Sequence, residues 1–406
     1  MEYSLISGGV TAAEGFTASG VHCGIRKNKS KKDLALIYSD TLCNAAAVYT
    51  TNLVKSAPIR VCQKHLANGK AQAVIVNSGN ANTCNADGDR KALRMCELVA
   101  EQMNIQAEDV LVGSTGVIGQ PLPIEPIEQA AAALAGALSR EGGTDAAEAI
   151  LTTDTYKKEV AVSFQLDGKT VKLGGIAKGS GMIHPNMATM LGFITTDAAI
   201  CSDMLQKAVS GVAQDSFNMV SVDGDTSTND TLAVLASGKA GNREITEEDE
   251  NYQVFYGALL LVCRELSKRL AADGEGATKL LICKVQGAKT VEDAKGIAKS
   301  IICSSLVKAA MFGSDANWGR VLCAIGYSGC QVDIDKVQVE FQSQKGSVLV
   351  CENGAGVEFS EEKAKEILLE KEITIAVTLG DGEGVAEAYG CDLTYDYVKI
   401  NGDYRT

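Results

Sequence analysis

The chain has 406 residues, 46% of them hydrophobic and 22% charged, enough for two or three domains' worth of core. Its formal net charge of −13 argues against nucleic acid or an anionic membrane as partner, since both need basic patches. The 41 Gly against 5 Pro point to many turns and no stiff linkers.

Thirteen Cys occur without a CxxC pair, and His is limited to His22, His65 and His184, so no zinc spacing is present. Cysteines such as Cys263 and Cys303 sit in apolar runs. Buried free thiols in a reducing cytoplasm are the expectation. The opening MEYSLISGGVTAAEGF lacks the basic start and apolar core of a signal peptide. No apolar run reaches the length of a membrane span.

In chain order, 72–76 reads as a buried strand that ends in the turn-rich NSGNANTCNADGD. A helix is expected over 90–103, with Ala92, Leu93, Cys96, Leu98 and Val99 as its apolar positions. An Ala-rich helix over 126–138 and a shorter one over 145–151 follow, then strands over 160–164 and 170–173. MLGFITTDAAI is strand-like, and 202–217 reads as a helix before a loop over 223–230. Thr246, with Asp249 three residues later, suggests a capping-box start for a long helix ending near Asp273 and Gly274. After a strand over 280–285, Thr290 and Asp293 repeat that signal for a helix running to about Phe312. Strands over 336–341, 348–351 and 373–377 and a helix over 360–370 complete the pattern. Adjacent strands often lack an intervening helix, so sheets with helices outside fit better than a doubly wound parallel sheet.

The segment 174–192, GGIAKGSGMIHPNMATMLG, carries five glycines and a single cation, Lys178. Thr is a poor nucleophile without a base. At a free N-terminus its own α-amine, with a reference pKa of about 7.7–8.0, serves as that base. An internal Thr reaches this state by attacking the carbonyl before it; the resulting ester hydrolyses and the chain is cut. Ala188, ahead of Thr189, leaves that carbonyl accessible, and a strained Gly-rich loop would favour the attack. An Ala-Thr pair entering an ordinary strand fits the same residues.

KGSGMIHPNMATML, residues 178–191, resembles the signature of the ArgJ family, the glutamate N-acetyltransferases or ornithine acetyltransferases of arginine biosynthesis. GGVTAAEGF at 8–16, KDLALIYSD at 32–40, NSGNANTCN at 77–85 and GSTGVIGQPLP at 113–123 fit the likeness. So do TTDT at 152–155, SVDGDTSTNDT at 221–231, DGEGATK at 273–279, GSDANWGR at 313–320 and the closing NGDYRT.

The resemblance implies a layered α/β fold of stacked β-sheets flanked by helices, with a smaller C-terminal α/β lobe. It implies self-cleavage between Ala188 and Thr189 into an α chain, 1–188, and a β chain, 189–406, and Thr189 as nucleophile. Acetyl would pass from N-acetylornithine to Thr189 and on to glutamate. Thr115 and Gly116 match the oxyanion-hole pair. Thr152, Lys178, Thr189, Glu275, Asn401 and Thr406 match substrate-binding positions, with Thr155 a near alternative to Thr152. Lys178 would pair with a substrate carboxylate and Glu275 with its side-chain amine. The family implies no metal and no cofactor, with acetyl-CoA as a second donor in some members, and a heterotetramer of two α and two β chains. Asp223, Asp225, Asp230 and Glu275 do not fit an EF-hand; Asp315 and Arg320 would shape the pocket or a subunit contact. The competing readings are a self-cleaving aminopeptidase or amidase, and an uncleaved binding protein.

Overall fold

A computed structural model describes residues 2–184 and 190–403. It divides into two compact units. One comprises Met1–Gly179, Pro185–Asn218 and Thr226–Leu266; the other comprises Ser180–His184, Met219–Asp225 and Ser267–Thr406. The larger unit therefore runs past the expected cleavage point, and the smaller one is the expected C-terminal α/β lobe.

The first unit is built on a sheet of nine strands among the described residues. Across it lie Ser4–Ile6, Lys158–Leu166, Lys169–Lys178, Leu191–Thr196, Thr231–Ala236, Leu34–Tyr49, Lys70–Asn80 and Val110–Val117, and Phe16–Val21 also pairs with Leu34–Tyr49. Every residue of Leu191–Thr196 and Thr231–Ala236 is buried. Two-sided burial suits a sheet covered on both faces and makes the strands read as unbroken apolar runs. The first four residues of Leu34–Tyr49 are likewise all buried, whereas its middle is exposed at Asp40 and Leu42, so the strand carries no regular alternation.

Helix Gly88–Met103 buries Ala92, Met95, Cys96, Leu98 and Val99. Leu93, expected on that face, is exposed, and Met95 takes its place. Helices Glu125–Gly136, Gly143–Ala149 and Ser202–Gln214 stand close to their expected spans.

The second unit carries a seven-stranded sheet among the described residues, in the order Ala355–Gly356, Gly346–Glu352, Gln338–Ser343, Glu372–Thr378, Leu280–Ala288, Gly384–Cys391 and Val220–Ser221. Two expectations need correction. The long helix is Glu250–Ala272, and its start is capped by Asp249, which accepts the Tyr252 N–H at 2.9 Å; Thr246 lies outside it. The helix expected from Thr290 to Phe312 is two, Val291–Cys303 and Ser305–Phe312. Ser304 breaks it by turning extended and accepting the Val307 N–H, which starts the second helix.

Candidate active site

Strand Val110–Val117 runs parallel to Lys70–Asn80 with Ser78 opposite Thr115 and Gly79 opposite Gly116, and the register slips at Asn80. At Gly116 the backbone has φ +132°. A Cβ there would lie 2.4 Å from the Gly79 carbonyl carbon and 2.6 Å from the Asn80 nitrogen, so only glycine allows this approach. Ser114 donates to Asn77 Oδ1 at 2.6 Å. Asn229 donates to the carbonyls of Ala81 and Ser114, each at 2.7 Å, and accepts from the hydroxyls of Thr83 and Thr228. This buried asparagine fixes the backbone just before Thr115.

Strand Lys169–Lys178 brings Lys178 beside that turn. The ammonium of Lys178 donates to Thr115 Oγ1 at 3.2 Å, and both residues are buried. Its partner across the neighbouring strand is Leu191, two residues beyond Thr189.

Behind Lys178 lies a second lysine and one carboxylate. Asp154 Oδ1 accepts from Lys158 Nζ at 2.7 Å and from the Gly179 N–H at 2.7 Å. Its Oδ2 accepts the Thr152 N–H at 3.0 Å. Burial opposes the charge on Asp154, but the positive fields of Lys178 and Lys158 outweigh it and hold the carboxyl at a pKa of about 2. Thr152 is half-buried and tied into this network through its backbone, whereas Thr155 is exposed.

In the second unit Glu275 is buried and receives a hydrogen bond from Asn401 Nδ2 at 2.9 Å. Its N–H donates to the Ser180 carbonyl at 3.1 Å. A Cβ at Gly181 would stand 2.3 Å from the Glu275 carboxylate, so the missing side chain leaves room for that group. Asp223 accepts from the backbone N–H groups of Met182 and Ile183 at 2.6 and 2.9 Å. It thus anchors the segment that covers Glu275, and burial pushes its carboxyl pKa up.

The structure thus joins Thr115, Gly116, Thr152 and Lys178 within one unit, and Glu275 with Asn401 within the other. Ala188, Thr189 and Thr406 lie outside the described residues. Asp315 and Arg320 serve their own segment: Asp315 accepts from Asn317, and Arg320 donates to the Leu306 carbonyl. Among the described residues, no three His, Cys, Asp or Glu side chains are grouped to hold a metal. All 13 cysteines are free. Asn77, Asp154, Lys158 and Asn229 were not singled out from the sequence, although TTDT, NSGNANTCN and SVDGDTSTNDT contain three of them.

A hydroxyl and an ammonium, buried together beside a turn that excludes side chains, form a site suited to stabilising an oxyanion in acyl transfer. The profile of the ArgJ family matches residues 17–406, and the chain belongs to that family. It is 53% identical to the arginine biosynthesis bifunctional protein ArgJ of Caldanaerobacter subterraneus over 403 residues, 99% of this chain and 100% of that one. Against the protein of the same name from Bacillus subtilis it is 50% identical over 99% of this chain and 97% of that one. The crystal structure of arginine biosynthesis bifunctional protein ArgJ from Bacillus halodurans matches at 46% identity with a TM-score of 0.50, covering 52% of this chain and 98% of that chain.

Proposed function

We propose that this chain is a glutamate N-acetyltransferase of arginine biosynthesis, which moves acetyl from N-acetylornithine to glutamate. Family membership over 17–406 supports the reaction. The observation that carries the reading into the geometry is the Lys178 ammonium on Thr115 Oγ1, across the strand pair from Leu191.

The chain first cuts itself between Ala188 and Thr189. The solved Bacillus halodurans chain is about half this one in extent, as a product of such a cut would be. The freed α-amine of Thr189 then takes the proton from the Thr189 hydroxyl as its oxygen attacks the acetyl carbonyl of N-acetylornithine. Thr115 and Gly116 stabilise the developing oxyanion. The amide C–N bond breaks, ornithine leaves with the proton, and acetyl stays on Thr189 as an ester. The amine of glutamate attacks that ester, Thr189 regains its proton, and N-acetylglutamate departs. Lys178 holds the substrate carboxylate. Glu275, with Asn401 and Thr406, holds the side-chain amine, and Thr152 adds a further contact.

The name "bifunctional" carried by the relatives supports acetyl-CoA as a second donor. The reading needs no metal or resident cofactor. Two α and two β chains assemble as a heterotetramer, in the cytoplasm that a place in arginine biosynthesis implies. Among the described residues, no helix is long and apolar enough to cross a membrane.

A denaturing gel of purified protein shows two fragments divided at 188/189, and incubation with N-acetylornithine yields acetylglutamate only when glutamate is added. Thr189→Ala removes both cutting and transfer. An uncut, active chain, or acetate release without acetylglutamate, overturns the proposal.

A further inference from the structure

Residues 26–32 read RKNKSKK, five cations and no acid in seven positions, in a chain of net charge −13. They lie in the loop between strands Phe16–Val21 and Leu34–Tyr49, and that loop is built on a buried carboxylate. Asp33, 0% exposed, accepts the N–H groups of Cys23, Gly24 and Arg26 at 2.5, 3.2 and 2.8 Å. Further out, Asn28 Oδ1 accepts from the N–H and the hydroxyl of Ser30, and the Asn28 carbonyl accepts the Lys31 N–H at 3.2 Å, which closes a tight turn. Lys32 is paired with Asp145 and Glu148. Lys27, Lys29 and Lys31 are exposed, and among the described residues no carboxylate pairs with them.

The near end of this loop lies on the acyl-transfer turn. A Cβ at Gly79 would stand 3.0 Å from Ile25 Cγ2 and 3.1 Å from Arg26 Cγ, and Gly79 is the register partner of Gly116. The Arg26 guanidinium donates to the Leu151 carbonyl, next to Thr152. The three exposed lysines follow Arg26 by one to five residues, within about 18 Å along an extended chain.

We propose that this loop is the docking site for the phosphates of acetyl-CoA: Lys27, Lys29 and Lys31 meet its pyrophosphate and 3′-phosphate while the acetyl thioester reaches the Thr115–Gly116 turn. This rests on the reading of acetyl-CoA as a second donor. The pantetheine arm separates the thioester from the phosphates, and the loop sets its cations out from the turn in the same way. An acidic protein repels a polyanionic donor at large, so a local cationic surface is what admits it. N-acetylornithine has no phosphate and does not sense these charges. The Thr189 hydroxyl oxygen bonds to the thioester carbonyl carbon, the C–S bond breaks, and CoA leaves as a thiol with the proton that the Thr189 amine took from that hydroxyl. Acetyl stays on Thr189 as the ester that glutamate attacks.

Initial rates of acetylglutamate formation by self-cleaved protein test the proposal, with acetyl-CoA, acetyl-dephospho-CoA, S-acetyl-N-acetylcysteamine or N-acetylornithine as donor. The triple variant Lys27→Ala/Lys29→Ala/Lys31→Ala alters exposed side chains, so its melting temperature stays at the parent value. Its KM for acetyl-CoA rises roughly tenfold, as three exposed charge pairs worth about twofold each would give. KM stays at the parent value for N-acetylornithine and for S-acetyl-N-acetylcysteamine, neither of which carries phosphate. Removing the 3′-phosphate from the donor raises KM in the parent and raises it less in the triple variant, because the protein and ligand charges are coupled. Added salt weakens acetyl-CoA use in the parent more than in the variant. Arg at all three positions keeps the parent KM. An unchanged KM for acetyl-CoA in the Ala variant overturns the proposal, and so does an equal rise for all four donors. A parent that makes acetylglutamate from N-acetylornithine but not from acetyl-CoA refutes the second-donor reading itself, so the two failures are distinguishable.

Discussion

Both units bury lysines, and they satisfy them differently. In the first unit Lys158 donates to the Asp154 carboxylate and Lys178 to the Thr115 hydroxyl, beside the Gly116 turn. In the second, Lys279 donates to the carbonyls of Met311 and Leu368 at 2.6 and 2.7 Å and to Ser314 Oγ at 2.8 Å. Those carbonyls lie in the last turns of helices Ser305–Phe312 and Glu361–Leu368, where cations are favoured by the helix dipole. All three ammonium hydrogens are used, so Lys279 holds two helix ends together and has no donor left to offer a ligand. Burial alone therefore does not mark a lysine as functional; what matters is the kind of partner it meets.

The largest expected effect would break the first unit at its turn. Gly116→Ala places a methyl against the Gly79 and Asn80 backbone at a positive φ. Transfer should fall about 100-fold or more, the scale of losing one oxyanion donor, in protein that circular dichroism shows to be folded. A near-parent kcat would remove the turn from the chemistry. Next comes the contrasting lysine. Lys279→Met removes one donor from each of two carbonyls, which keep Ser314 as a second, and the donor to Ser314 Oγ; it should cost about 1–3 kcal/mol in denaturant unfolding. KM for N-acetylornithine should stay at the parent value; a KM shift would erase the distinction between the units.

The sequence exposes local signals better than distant ones. The Thr290 cap was readable because Thr290 and Asp293 are three residues apart, and Thr290 Oγ1 does accept the Asp293 N–H. The same pattern at Thr246 misled, since Asp249 is itself the cap. Thr115, Lys178 and Glu275 came from family likeness; in isolation each resembles an ordinary turn or surface residue. Asp154 and Lys158 have the i,i+4 spacing of an exposed helical pair. Here the pair bridges an irregular turn and the start of strand Lys158–Leu166, and the same carboxylate takes the Gly179 N–H, which follows a different strand, Lys169–Lys178. The expected α/β class with a smaller C-terminal lobe is present, but strands Leu34–Tyr49 and Gly384–Cys391 were not anticipated.

A smaller effect concerns pH and the second unit. His184 Nδ1 lies 3.1 Å from Ser221 Oγ and 3.5 Å from Cys303 Sγ. Burial and the charge of Lys299 hold its pKa near 4, with Asp225 opposing them. Folding therefore favours neutral His184. Its contribution is intact above the unfolded pKa of about 6.5 and is lost as pH falls toward 4, because the unfolded chain then binds the extra proton. After allowance for partial exposure, about 1–2 kcal/mol should disappear across that window. His184→Gln should flatten this part of the profile of melting temperature against pH. An unchanged profile would assign the acid sensitivity elsewhere, for example to Asp154, whose depressed pKa makes its contribution vanish only below about pH 4.

The smallest effect tests whether the second unit tolerates a purely local loss. Thr290 caps helix Val291–Cys303 through one hydrogen bond to Asp293 N at 3.0 Å. The helix buries Ala294, Ile297, Ala298, Ile301 and Ile302, so its packing outweighs its cap. Thr290→Ala should cost about 1 kcal/mol and leave self-cleavage and both kinetic constants unchanged. Thr290→Ser, which restores the hydroxyl, should recover most of that loss. If Thr290→Ala instead changes KM, helix placement in this unit is coupled to substrate binding. The separation between scaffold lysines and site lysines would then have to be redrawn to include the helices that Lys279 ties together.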